Sequence, residues 1–81
     1  MFQSISEQVE VIGVYKKGLF HPKKMKWNGK IFTIEKVTLI SEIRDGDVKK
    51  RMYSFTNGKD LYRLMFNRET EQWTLEEIWV E

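Results

Sequence analysis

Six lysines lie between Val11 and Ile34: Lys16, Lys17, Lys23, Lys24, Lys26 and Lys30. No acidic residue falls among them. Ammonium groups at this density raise the local positive potential and attract phosphate. Tyr15, Phe20 and Trp27 are interleaved with them. Aromatic faces on a sheet, flanked by lysines, are what single-stranded nucleic-acid binding requires. The candidate set is therefore Lys16, Lys23, Lys24, Lys26 and Lys30 for phosphates, with Phe20 or Trp27 for a base. The competing explanation is structural, because lysines also form solvated outer faces and guard sheet edges against aggregation. The preference for Lys over Arg speaks against bidentate recognition of phosphate or base.

The remaining chemistry-bearing residues are scattered. Lys49-Lys50-Arg51 is a second basic run. Side chains alternate along a strand, so this run divides between two faces, with Arg51 at the rim of the face that holds Tyr53 and Phe55. Glu69 to Glu81 carries five glutamates and no base, an acidic segment able to pair with the basic one within or between molecules. His21 is the only histidine and there is no cysteine, so no zinc-ligand spacing exists. Asp45-Gly46-Asp47 has the look of a calcium-loop fragment without the further ligands, and a hairpin turn accounts for it. Glu76 and Glu77, adjacent on a strand, point to opposite faces and cannot act as a catalytic pair. Ser4, Ser6, Ser41 and Ser54 lack a nucleophile-elbow context, and no glycine-rich phosphate loop is present. The expectation is a non-enzymatic protein with no cofactor and no metal.

The elements that must position these residues are strands. Asn28-Gly29 suits a type I′ hairpin turn, whose two central residues both need positive φ. Asp45-Gly46-Asp47, Asn57-Gly58-Lys59-Asp60 and Arg68-Glu69-Thr70-Glu71 separate further apolar runs. With an earlier strand near residues 9–16, six strands are expected, joined to the second by a loop over Gly18-Leu19-Phe20-His21-Pro22. Two strands break their alternation. Phe32 and Ile34 share one parity and Val37 and Leu39 the other, across Glu35-Lys36. Trp73 and Leu75 share one parity and Ile78 and Val80 the other, across Glu76-Glu77. Each switch predicts a β-bulge or sharp bend, since one inserted residue resets which face follows.

At 81 residues the chain is one domain, and a chain this small buries only about 60–65% of its unfolded surface. With no disulfide to staple it, three Trp, three Tyr and five Phe must supply the core. The expected core is Val11, Trp27, Phe32, Ile34, Val37, Leu39, Tyr53, Phe55, Tyr62, Leu64, Phe66, Trp73 and Leu75. The expected organisation is an N-terminal arm over 1–8 and a single β domain over 9–81. The expected fold is all-β, a six-stranded antiparallel meander curled into a small barrel or open roll. The N-terminus has neither the basic start nor the apolar run of a signal peptide, and no apolar stretch reaches membrane-spanning length, so a cytoplasmic location is expected.

The string Pro22-x-x-Met25-x-Trp27-x-Gly29-x-x-Phe32-x-Ile34-x-x-Val37, with Arg51-x-Tyr53, Leu61-Tyr62 and Trp73-x-Leu75, resembles an uncharacterised family of small bacterial all-β domains associated with translesion-synthesis and DNA-repair genes. The likeness spans about residues 20–80, and Leu39-Ile40 departs from it where another aromatic would stand. It implies a DNA-repair accessory role and carries no catalytic residue. The sequence thus points to a non-enzymatic binding module for nucleic acid or within a DNA-repair assembly. The alternative is a protein-interaction or dimerisation domain working through a strand edge or opposed charged surfaces, for which a homodimer is a natural form.

Overall fold

The computed structural model describes residues 1–80. They form one antiparallel sheet of seven strands: β1 (Phe2–Lys16), β2 (Leu19–Trp27), β3 (Lys30–Thr33), β4 (Lys36–Asp45), β5 (Val48–Thr56), β6 (Leu61–Asn67) and β7 (Gln72–Trp79). The strand order is β3-β2-β1-β7-β6-β5-β4. Every strand pairs with its neighbour in sequence except β3 with β4, and β1 pairs with β7 as well. The meander is therefore joined through its two terminal strands and open between β3 and β4. It is an open roll, not a closed barrel. Among the described residues no helix is long and apolar enough to cross a membrane.

Seven strands replace six because the expected long third strand is interrupted. The chain leaves β2 after Ile34, whose N–H donates to the Lys23 carbonyl at 2.8 Å, and resumes at Lys36 along β5. The parity switch across Glu35-Lys36 is thus a break between two strands that lie on opposite lips of the opening. The switch across Glu76-Glu77 is a bulge. Arg63 faces Glu77 and Leu64 faces Leu75, which leaves Glu76 unpaired on β6's side; on the other side Ser4 faces Glu77 and Glu7 faces Leu75. That shift lets Leu75 and Ile78 both be buried.

Two expectations about the first strands are corrected. Residues 2–8 are not a separate arm, because they belong to β1. Phe2 pairs with Trp79 edge-to-face at 4.6 Å, Ile5 packs on the core, and Ser6 takes a φ of 51° at the bulge opposite Glu76. The expected loop over 18–22 is instead the start of β2. The turn is two residues, Lys17 and Gly18, at φ 54° and 78°, the same geometry as Asn28-Gly29 at 52° and 73°. Lysine pays a steric penalty at positive φ, so its place in this turn was hidden from a composition-based reading.

The core lies within the curl. Met25, Tyr53, Phe55, Leu64 and Leu75 are fully buried, with Val9, Ile34, Tyr62 and Ile78 nearly so. Each large apolar side chain removed from water contributes roughly 1.5–3 kcal/mol. Phe55 stacks on Tyr62 at 4.8 Å, and Phe32 reaches Tyr62 from the far lip at 6.4 Å. Leu39 was expected in this core and is 54% exposed. Val37 faces Phe55 and Leu39 faces Ser54, so Thr38 is an extra residue on β4; its hydroxyl donates to the Ser54 carbonyl at 3.2 Å. The bulge exchanges the faces of Leu39 and Ile40, and Ile40 packs inward.

One hydrogen bond crosses the roll. β3 covers β2 only over Lys24–Trp27, so the outer edge of Leu19–Lys23 has no strand beside it. The Tyr53 hydroxyl, from β5, donates to the Phe20 carbonyl at 2.8 Å and satisfies one of those groups. The two free edges are guarded. β3 is four residues long, and β4 carries the Thr38 bulge with Lys36, Glu42 and Arg44.

Candidate nucleic-acid interface

Strict alternation along β2 would put Lys23 on the buried face with Met25. The structure does otherwise. Ile12 faces Lys24 and Gly13 faces Pro22, so Lys23 is an inserted residue. Pro22 and Met25 are both buried, and Lys23 and Lys24 between them are both exposed. Gly13 makes this possible: a Cβ there would stand 2.2 Å from the His21 carbonyl oxygen and 2.7 Å from Phe20 Cζ. Only glycine admits so close a backbone approach.

The bulge therefore gathers Lys23, Lys24 and Lys26 as an exposed group on β2. Lys24 lies between Ile12 and Thr33 on the neighbouring strands, and Lys26 between Glu10 and Ile31. Ile12 is 67% exposed and Ile31 65%, so the lysines rise from an aliphatic floor. Lys16 is exposed at the hairpin end of β1 opposite Leu19. Lys30 faces Trp27 across the Asn28-Gly29 turn, and alternation puts that pair on the other face of the sheet. Phe20 is half-buried, edge-on to Tyr15 at 5.1 Å and tilted against Trp73 at 5.5 Å. Trp27 packs on Phe32 at 5.9 Å, and its indole N–H donates to Glu7 at 3.1 Å. The candidate set thus divides. Lys23, Lys24 and Lys26 come together, Lys16 stands at the hairpin tip, Lys30 lies apart, and Phe20 is a packing residue.

The four ion pairs of the described residues involve none of these lysines. They join Lys50 to Asp45 at 3.3 Å, Arg51 to Glu42 at 2.7 Å, Arg63 to Glu77 at 3.4 Å and Arg68 to Glu42 at 3.5 Å. Two members of the second basic run, Lys50 and Arg51, are thus paired with acids where they stand. The hydrogen bond that Arg51 donates to Glu42 raises the Arg51 pKa above its ordinary value, against the opposing effect of burial. Of the acidic segment, Glu76 and Glu77 lie on β7, separated from β2 by β1, and Glu77 is engaged by Arg63. Glu81 lies outside the described residues.

Sequence reasoning placed Tyr15 among the lysines but left it out of the candidate set. It is 74% exposed at the end of β1, the most exposed aromatic side chain of the described residues. Its neighbours Lys16 and Lys17 were visible, but the short turn that puts it at a hairpin tip was not. Phe2 and Trp79 form a second exposed aromatic pair at the opposite end of β1, with the Arg63 guanidinium 5.7 Å from the Phe2 ring centre. A depression of about 330 Å³ beside Lys26 is lined by Gln8, Val9, Glu10, Lys26 and Gly29. Among the described residues no three His, Cys, Asp or Glu side chains converge as a metal site. No family model, no curated protein and no solved structure matches this chain.

Proposed function

We propose that this protein is a non-enzymatic binding module for nucleic acid, engaging phosphates through Lys23, Lys24 and Lys26, with Lys16 at the margin. The β2 bulge carries the reading: it turns outward a lysine that alternation would bury and joins it to two others, none of the three in an ion pair among the described residues. Charge held on a rigid strand neutralises phosphates and releases their counterions. The resemblance to a family associated with DNA-repair genes is consistent with such a ligand. The test is binding of a labelled single-stranded oligonucleotide across a salt series. On single strands each phosphate contact contributes about −0.7 to the slope of log K against log salt, so three contacts give about −2. Lys24→Glu with Lys26→Glu should weaken binding to all sequences alike and reduce that slope. Negligible binding at low salt removes the proposal.

A second reading has one observation in its favour. Ile12, Val14 and Ile31 are exposed around the lysines, which suits a protein partner with an acidic and apolar surface. Such a partner would be lost on Ile12→Ser with Ile31→Ser, whereas phosphate binding would survive that change.

A further inference from the structure

Resting on the nucleic-acid reading, we infer that Tyr15 is a base-stacking platform and that the preferred ligand is a single strand. The Tyr15 ring stands at the tip of the β1–β2 hairpin, 74% exposed. It is supported from behind, not loose. Phe20 meets it edge-on at 5.1 Å, Trp73 backs Phe20 at 5.5 Å, and Tyr53 backs Trp73 at 5.3 Å. Tyr53 is fully buried and its hydroxyl holds the Phe20 carbonyl at 2.8 Å. A row of aromatics thus runs from the core to the tip and presents one ring to solvent.

Two further features suit a base. Lys17 forms the exposed turn beside Tyr15, so a cation stands at the same tip, while Lys16 alternates onto the face that carries Lys24 and Lys26. The strand edge next to Phe20 is not covered by β3, so a chain can pass over the hairpin from the Lys23–Lys26 face to the ring. An aromatic ring offered face or edge at a tip can stack an unpaired base of any identity, whereas the bases of a duplex are already stacked on each other. The ligand class is therefore single-stranded nucleic acid with little sequence preference.

The experiment uses the whole chain and three fluorescein-labelled probes of about 12 nucleotides, a length within the usual site range. These are a single-stranded oligothymidylate, a mixed-sequence duplex, and an abasic strand carrying the same phosphates. Anisotropy titrations compare wild type, Tyr15→Ala, Tyr15→Trp and the Lys24→Glu/Lys26→Glu pair. Expected is about a tenfold loss of oligothymidylate affinity in Tyr15→Ala, retention in Tyr15→Trp with quenching of the new indole on binding, and no change of the weaker abasic binding. Circular dichroism should show the same strand content in each variant, since Tyr15 buries little. If Tyr15→Ala binds oligothymidylate as wild type does while the lysine pair variant fails, the stacking inference is overturned and the phosphate-binding function stands. If Tyr15→Ala weakens abasic binding equally, stacking is likewise overturned. If wild type binds none of the probes at low salt, the function falls and the inference with it.

Discussion

Substituting Gly13 by alanine tests the bulge on which the basic face depends. The added Cβ would lie 2.2 Å from the His21 carbonyl oxygen, roughly 0.8 Å inside the 3.0 Å that real Cβ contacts respect. That oxygen belongs to backbone, so it cannot swing aside as a side-chain tip would. The Phe20 ring, 2.7 Å away at Cζ, must also withdraw. Relief requires β2 to separate from β1 between Gly13 and Pro22, which disturbs the buried proline and the Phe20–Trp73 contact. Overpacking of this kind costs about 1–3 kcal/mol. In a domain of this size each kcal/mol lowers Tm by about 4–8 °C. Thermal unfolding followed by tryptophan fluorescence should therefore show Gly13→Ala melting at least about 4 °C below wild type. Trp73, next to Phe20, should report the shift in its native emission. Gly18→Ala is the comparison: its Cβ meets nothing within 4 Å, and its φ of 78° makes the cost conformational, of about 1 kcal/mol. A Gly13→Ala protein that melts within about 2 °C of wild type would refute the bulge geometry, and with it the placement of Lys23 outside.

Other outcomes follow from the same structure. Deleting Glu76 removes the bulge residue and turns Ile78 and Val80 to the solvent side; denaturant unfolding should find little cooperatively folded protein, whereas Glu76→Gln should fold normally. Leu39→Ser should change stability by no more than about 0.5 kcal/mol while Ile40→Ala costs roughly 2 kcal/mol, because the Thr38 bulge puts the first outside and the second against the core. Tyr53→Phe leaves the Phe20 carbonyl without its donor and should cost about 1–3 kcal/mol, read as a lower urea midpoint. Burial, with the Asp60 carboxylate adding to it, raises the Tyr62 phenol above its ordinary 10.0 against the lowering by Asn57. The folded chain then keeps this proton at a pH where the unfolded chain loses it. The stabilisation is full below about pH 10 and is lost as pH rises through the folded value, so melts between about pH 8 and 11 should fall more steeply for wild type than for Tyr62→Phe.

The β character, the hairpin order from β4 to β7 and most of the core were legible in the sequence. Alternation selected Tyr53, Phe55, Tyr62, Leu64 and Leu75, all of which are buried. The parity switch at Glu76-Glu77 announced a bulge before any coordinate did, because a face flips with each residue and only an inserted one can reset it. The misses share a cause. Lys17-Gly18 carries no strong turn signature, so the start of β2 read as a loop. The bulges at Lys23 and Thr38 leave no mark in composition, since their effect appears only when two strands are set side by side.

The amino-acid sequence alone determined that lysines crowd one segment without acids, and that the chain must build strands around an aromatic core. It could not determine which lysines share a surface. A one-residue slip between β1 and β2, admitted by the missing Cβ of Gly13, brought Lys23 out beside Lys24 and Lys26. The pairing of β1 with β7 is equally invisible locally, because it joins the two ends of the chain and depends on the curl of the whole sheet. Residue types are local, whereas register and closure are properties of strands distant in sequence, and those decided where charge and aromatic surface lie.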